Sequence, residues 1–322
     1  MQKGALGDVI LTTALLDDLH RAFPEAAIDF GVGKAAAPLL EHHPLISERV
    51  IVDAEPAWRL APAIRARRYD WVVDVQSSAR TAILTWCSGA AVRIGWDARV
   101  RGAAYTHRLA RDGAPEYVVI ERRRLLALAN ITTGDTAPRL VLSAAERAEG
   151  ERAMRTAGAP PERPRVGLVL TSAEASRNWP LAHFAALIPL LRAEGLTPVV
   201  LYGPGDVAPV ARLQGLVPDV IALNLRVRAL LGALAACRLL VSGDTGPAHM
   251  ASALGVPRVT IYGPTSPVLY SAGGPGVVEL ASANPPIRKM RERKELLAGR
   301  DDYTADVTPA RVVEAVRSLI RP

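Results

Sequence analysis

The feature that most constrains this chain is an alternation, nearly from end to end, of short apolar runs with longer stretches at helical spacing. A strand covered on both faces reads as a short apolar run, and consecutive parallel strands need a helical crossover between them. The alternation therefore points to parallel α/β units rather than to a sandwich or a helical bundle. Strands are expected at 28–32, 49–52, 71–75 and 93–95 in the first half, and at 166–170, 198–202, 220–223, 239–242 and 259–262 in the second. Ala14, Leu15, Leu19 and Phe23, and later Phe184, Leu187, Leu190 and Leu191, recur at the spacing of a buried helical stripe. Gly158, Pro160, Pro161 and Pro164 break both periods, so the sequence predicts two domains, 1–157 and 158–322. A terminal helix is expected at 308–320, with Thr308 as cap and Pro309 at its first position. The charged run 288–300 reads as a solvated helix face.

Hydrophobic residues at 49% and charged residues at 22% fit a folded globular chain and exclude disordered and fibrous classes. No apolar run approaches the ~20 residues of a membrane span. The opening residues lack the charged and apolar regions of a secretory signal, and Cys87 and Cys237 are too few for a disulfide framework. A cytoplasmic protein is expected. The formal charge of +7 favours anionic partners, but no basic-aromatic reader motif accompanies it, so specific nucleic-acid binding is not expected.

One element is missing. In a doubly wound unit the first glycine loop follows a central strand, yet Lys3-Gly4-Ala5-Leu6-Gly7-Asp8 stands almost at the first residue. Either the start lies further upstream or another segment fills the gap. The first is the expectation here, because an empty central position would leave backbone groups on both neighbours unpaired.

Two strand-turn-helix segments carry the strongest chemical signal. In Ser242-Gly243-Asp244-Thr245-Gly246-Pro247-Ala248-His249 a buried strand runs into a glycine turn and a helix start, where free N–H groups and the helix dipole suit a diphosphate. Asp244 is then either a contact to a ligand hydroxyl or an ordinary cap, and His249 either a ligand contact or a packed helix residue. Tyr262-Gly263-Pro264-Thr265 ends the next strand, where it would line the same crevice. Leu201-Tyr202-Gly203-Pro204-Gly205-Asp206 is a similar turn that reads equally well as structural. Arg177, after the 166–170 strand, is either a counter-charge for a leaving diphosphate or a surface arginine. Asp8 opens the first helix, as a cap or as a general base.

Taken in order, Gly7-Asp8-Val9, the 69–76 segment Tyr-Asp-Trp-Val-Val-Asp-Val-Gln, Arg93-Ile94-Gly95, Arg177-Asn178-Trp179-Pro180, Asp244-Thr245-Gly246-Pro247-Ala248-His249 and Gly263-Pro264-Thr265 resemble glycosyltransferase family 9, the lipopolysaccharide heptosyltransferases. The resemblance covers roughly the whole chain and implies a GT-B fold, an α/β architecture of two Rossmann-like doubly wound domains facing a central cleft. It implies inverting transfer of a heptose-type sugar, with ADP-heptose as donor, to a lipopolysaccharide-core or related glycolipid or polysaccharide acceptor. Asp8 matches the family's general base, Asp244 a donor-sugar contact, and Thr245 and Gly246 the diphosphate cradle, with Pro247, His249, Gly263, Pro264 and Thr265 on the donor side. Gly7 and Gln76 fall on the acceptor side. Arg177 stands where the family commonly has lysine.

No cofactor and no obligatory metal are expected, since Asp-x-Asp is absent and the histidines lack ligand spacing. Membrane association would be peripheral, at the inner face of the cytoplasmic membrane. The alternatives are a GT-B transferase or epimerase using a UDP- or GDP-sugar, and a non-catalytic nucleotide-sugar-binding module.

Overall fold

The computed structural model describes residues 1–111, 113–287 and 302–320, so the charged run 288–300 lies outside the described residues. The chain divides into two compact units, Met1–Val141 and Leu142–Pro322.

The first unit runs α1 (Leu6–Thr12), α2 (Ala14–Ala22), β1 (Asp29–Val32), β2 (Glu48–Ile51), α3 (Ala57–Ala66), β3 (Trp71–Asp74), α4 (Ala79–Ser88), β4 (Val92–Trp96), β5 (His107–Leu109) and α5 (Val118–Ala127). Its strands form two parallel sheets, β1-β2 and β3-β4-β5. The expected opening helix is broken at Thr13. Thr12 Oγ1 bonds back to the Asp8 carbonyl at 2.8 Å and Thr13 Oγ1 to the Ile10 carbonyl at 2.7 Å, offering the backbone a competitor to helix continuation. A buried ion pair fixes α2 to α5: Arg123 Nε donates to Asp18 Oδ2 at 2.8 Å, and Gly134 N–H donates to the other oxygen at 2.8 Å. Asp18 is fully buried, and those bonds offset its desolvation.

The second unit runs α6 (Ala144–Thr156), β6 (Arg165–Val169), α7 (Leu181–Ala193), β7 (Thr197–Tyr202), α8 (Val207–Leu216), β8 (Ile221–Asn224), α9 (Val227–Ala235), β9 (Leu239–Gly243), α10 (Gly246–Ala253), β10 (Arg258–Tyr262), α11 (Pro267–Tyr270), β11 (Val277–Ala281) and α12 (Pro309–Ile320). All six strands are parallel, in the order β11-β10-β9-β6-β7-β8. Every residue of β6, β9 and β10 is buried, as expected of central strands covered on both faces. Val166, Leu168 and Val241 pack with Phe184, Leu187 and Leu191 of α7 and Val312 and Val316 of α12 in one apolar core. Each fully buried Leu, Ile, Val or Phe there contributes roughly 1.5–3 kcal/mol. The terminal helix forms as expected, with Arg311 N–H on Thr308 Oγ1 at 3.4 Å.

The boundary falls ahead of α6 rather than behind it at 157/158. α6 opens with a capping box, Ser143 with Glu146, and packs face to face on α9. The approach is so close that a Cβ on Gly150 would lie 2.2 Å from the Gly232 backbone. Arg228 adds two bonds of 2.6 Å to Glu146 and holds that carboxyl down at about 2. β5 and β11 were not expected from the sequence. Both are strands at the edge of their sheets, and neither has a fully buried residue to mark it as an apolar run. Among the described residues, no helix is long and apolar enough to cross a membrane.

Candidate active site

In the first unit, Asp8 of α1 and Gln76, two residues past the end of β3, both approach Gly4, and Gly7 precedes Asp8 in α1. Ala5 is the N-cap of α1 and makes no side-chain bond, so Asp8 is not the cap; it stands in the first turn, where the helix dipole favours an anion. Arg122 of α5 fixes it. One N–H of the guanidinium reaches Asp8 Oδ1 at 2.5 Å, and the other terminal nitrogen bonds the Asp8 carbonyl at 2.8 Å and Thr12 Oγ1 at 2.9 Å. The Arg122 side chain is 6% exposed and that of Asp8 38%, so a buried cation orients a carboxylate that solvent can reach. Asp8 Oδ2 lies on the side of Gly4, where an added Cβ would meet it at 3.5 Å and Gln76 Nε2 at 3.7 Å.

Gln76 is held at both its side chain and its backbone. Its Oε1 accepts from Lys3 N–H at 2.9 Å, and its own N–H reaches Asp74 Oδ1 at 3.2 Å. Asp74, buried at the end of β3, also accepts from Ser77 N–H at 2.9 Å and from the Tyr105 hydroxyl at 2.8 Å. Burial pushes the Asp74 carboxyl above its ordinary value. Ser77 takes φ 48°, in the left-handed region, and is kept there by these bonds and by its own hydroxyl, which accepts from Trp96 N–H at 2.9 Å. The turn that presents Gln76 is thus over-determined.

In the second unit the strand order reverses between β6 and β9, since successive crossovers lead from β6 to β7 and β8 on one side and from β9 to β10 and β11 on the other. Ligands of doubly wound sheets bind outside the carboxyl ends of the strands at such a point. The loop after β6 carries Arg177, and β9 ends at Gly243 next to Asp244. Arg177 faces two carboxylates, Asp244 Oδ2 at 3.3 Å and Glu174 Oε1 at 3.2 Å. Asp244 is buried and has His249 Nε2 at 3.8 Å from its other oxygen. The structure therefore brings Arg177, Asp244 and His249 into one cluster. Asp244 is not the helix cap: Thr245 holds that position. Pro247 is the second residue of α10, so Gly246 supplies the first-turn N–H.

Glycine is required where Arg177 is seated, because a Cβ on Gly243 would lie 2.6 Å from the Arg177 carbonyl oxygen. The loop around Arg177 is anchored by its neighbours. Asn178 Oδ1 accepts from Ser172 N–H at 2.7 Å, and buried Trp179 donates to the Val307 carbonyl at 2.7 Å and packs edge-on against Phe184. Gly263 packs equally closely against residues 303 and 304: an added Cβ would meet Thr304 Cγ2 at 2.6 Å. Thr304 in turn bonds the Asn178 carbonyl at 2.9 Å, which ties the Gly263-Pro264-Thr265 turn to the Arg177 loop. Burial, reinforced by the Asp244 carboxylate, pushes the Tyr262 phenol up, so it stays neutral. The turn after β7 is structural in this arrangement: Asp206 Oδ1 accepts from Thr171 at 2.6 Å, joining the ends of β6 and β7.

Two buried polar atoms here have no hydrogen-bond partner among the described residues, Arg177 Nε and Thr265 Oγ1. Such atoms are costly unless something completes them. A cation, a buried carboxylate, a helix-start amide and two unfilled polar atoms together suit a ligand that carries both anionic oxygens and hydroxyls.

Arg122, Glu174 and Thr304 were not singled out from the sequence. Arg122 lies in Glu121-Arg122-Arg123-Arg124, a run that reads as a solvated face. The available signal was its place on the stripe Val119, Arg122, Leu126, whose three members are all buried.

Residues 57–298 match the model of glycosyltransferase family 9 (heptosyltransferase). The chain is 25% identical over 339 residues to lipopolysaccharide heptosyltransferase 2 of Escherichia coli K12, a match covering 98% of this chain and 96% of the relative. Among solved structures, a glycosyl transferase family 9 protein of Veillonella parvula matches with a TM-score of 0.88 at 23% identity, over 99% of this chain and 95% of that one. The E. coli ADP-heptose lps heptosyltransferase II matches with a TM-score of 0.82 at 22% identity, over 98% and 96%. These likenesses show the GT-B class of fold that the sequence led us to expect.

Proposed function

Since the chain belongs to glycosyltransferase family 9, the heptosyltransferases, and is a glycosyltransferase of that kind, we propose that its donor is ADP-heptose and its acceptor a lipopolysaccharide core or a related glycan. The observation that carries the donor reading is the cluster at the ends of β6 and β9, where Arg177, Asp244 and the start of α10 converge with Arg177 Nε and Thr265 Oγ1 unfilled. In this reading the Gly246 N–H, Thr245 and Arg177 hold the diphosphate, and Asp244, with His249 beside it, receives the sugar hydroxyls. Gly263, Pro264 and Thr265 complete the donor side.

Asp8 acts in the first unit as general base, taking the proton from an acceptor hydroxyl as that oxygen attacks the anomeric carbon from the face opposite the diphosphate. The C–O bond to the diphosphate breaks as the new glycosidic bond forms, which inverts the anomeric configuration. Arg177 stabilises the charge that develops on the departing ADP. Gly7 and Gln76 frame the acceptor. A guanidinium and a helix start supply the leaving-group charge that a metal supplies elsewhere, so transfer is proposed to need no metal and no cofactor. Acceptors of this kind sit in a membrane, and the enzyme would meet them as a cytoplasmic protein bound peripherally at the inner face. Net charge of +7 supports attraction to anionic headgroups.

The test is a thermal-shift titration with ADP, UDP, GDP and their sugar conjugates, because a ligand that binds only the folded chain raises its apparent stability. At a hundredfold excess over Kd the gain is about 2.7 kcal/mol, which is roughly 5–10 °C for a unit of this size. ADP and ADP-heptose should produce that shift and UDP and GDP little of it. Selectivity for UDP or GDP would move the donor to another nucleotide sugar, and no shift with any of them would contradict a donor site in this chain.

A further inference from the structure

α4 turns several hydroxyls inward and large apolar side chains outward. Its buried positions include Thr81, Thr85 and Ser88, and the Thr85 hydroxyl has no hydrogen-bond partner among the described residues. Ile83 and Trp86, three residues apart and so on one face, are 48% and 57% exposed. A surface helix of a soluble domain normally does the reverse. The elements on either side of α4 continue the face. α3 packs along it and exposes Trp58 (68%); Ala82 of α4 packs on Ala104 and Tyr105, at the end of a turn that Val100 (88%) precedes. Single exposed apolar residues are ordinary, but large ones on three adjoining elements mark an interaction surface.

The charge on this face has one sign. α3, α4 and the 98–104 segment carry Arg59, Arg65, Arg80, Arg99 and Arg101 and no acidic residue. Asp97, just ahead of the last segment, already faces Arg108 at 3.7 Å. Both exposed tryptophans have a guanidinium over the ring, Arg59 at 4.9 Å from Trp58 and Arg93 at 5.7 Å from Trp86. Exposed Arg99 and Arg101 flank Val100. The face also begins beside the acceptor side of the first unit. α4 opens at Ala79, three residues after Gln76, and Arg80 in its first turn donates to the Glu55 carbonyl at 2.6 Å, just ahead of α3. Because β3 and β4 are parallel, the loop after β4 that carries Val100 lies at the same end as Gln76.

We propose that this face docks on a bilayer surface rich in anionic lipid. Trp58, Ile83, Trp86 and Val100 enter the headgroup layer, and Arg59, Arg99 and Arg101 meet the lipid phosphates. Tryptophan suits that depth, since its apolar body sits among the upper acyl carbons while its N–H stays in the polar layer. Arginines set between the apolar side chains fit an anionic surface and not a neutral one. The inference rests on the reading of the acceptor as a membrane glycolipid, and it names the surface that holds Asp8 and Gln76 close to such an acceptor.

The test is co-sedimentation of the full chain with vesicles of phosphatidylglycerol and phosphatidylcholine in equal parts, against vesicles of phosphatidylcholine alone. The parent should partition onto the anionic vesicles at least about tenfold more strongly than onto the neutral ones. Trp58→Ser with Trp86→Ser, and separately Arg99→Ser with Arg101→Ser, should each weaken that partitioning about tenfold. Val207→Ser with Leu216→Ser, comparably exposed but in the second unit, should leave it unchanged. These positions are all exposed, so each variant keeps the fold. A parent that stays in the supernatant, or equal partitioning by the parent and the first two variants, would overturn the proposal. So would a dimer that Trp58→Ser with Trp86→Ser dissociates, by giving the face to a second copy. Transfer by the parent to a delipidated core oligosaccharide is measured alongside. Turnover without vesicle binding overturns the docking face alone, and vesicle binding without turnover overturns the heptosyl-transfer reading alone.

Discussion

Asp8→Asn is expected to lower kcat for sugar transfer by about 10²–10⁴-fold, the range a positioned general base supplies, and to leave ADP affinity unchanged. Asparagine has the shape of aspartate and keeps an oxygen for the Arg122 guanidinium, so the geometry around α1 is retained. Arg122 also keeps the Asp8 carbonyl and Thr12 Oγ1 as acceptors. The variant therefore removes the proton acceptor and little else. Asp8→Ala is a poorer test, because it leaves a nearly buried guanidinium nitrogen without a partner and mixes lost catalysis with lost stability. Steady-state kinetics with both substrates varied gives the answer, and an unchanged kcat in Asp8→Asn would remove the base from this position.

Arg177→Ala should reduce turnover by about 10²–10³-fold, as the loss of one group aimed at developing charge does, with the KM for acceptor unchanged. The structure adds a complication that a surface arginine would not have. Arg177 lies between Asp244 and Glu174, and removing it leaves two carboxylates facing each other without their shared cation. Arg177→Lys separates these effects: it keeps the charge, loses the forked geometry, and should return to within about tenfold of the parent. An effect confined to acceptor KM would contradict the leaving-group role.

The plainest elements in the sequence were those buried on both faces: β6, β9 and β10 appear as unbroken apolar runs because every position is covered. β1 and β3 were read although each is partly exposed at some positions, and β2 although none of its residues is buried. The glycine turns at Gly243 and Gly263 were legible as strand ends, and the structure gives each a steric reason, close backbone or side-chain contact where a Cβ would stand. What the sequence did not disclose depends on distant packing. Arg122 and Arg123 sit in a charged run yet are buried, because Asp8 and Asp18 approach them from more than a hundred residues away. The break at Thr13 follows from two hydroxyls bonding backwards, which helical periodicity does not register. The domain boundary was placed at the prolines, whereas α6 joins the second unit through a Gly150–Gly232 contact that becomes visible only once α6 and α9 are packed together. That the β1-β2 and β3-β4-β5 sheets are separate, with β1 and β3 lining one cavity, became visible only in the structure.

The central claim is tested most directly by incubating the chain with ADP-heptose and a heptose-deficient lipopolysaccharide core, in the presence of a chelator, and following ADP release and the anomeric configuration of the product. The account predicts one ADP released per heptose transferred, with inversion at the anomeric carbon. Retention of configuration, a requirement for added metal, or consumption of a UDP- or GDP-sugar in place of ADP-heptose would contradict it.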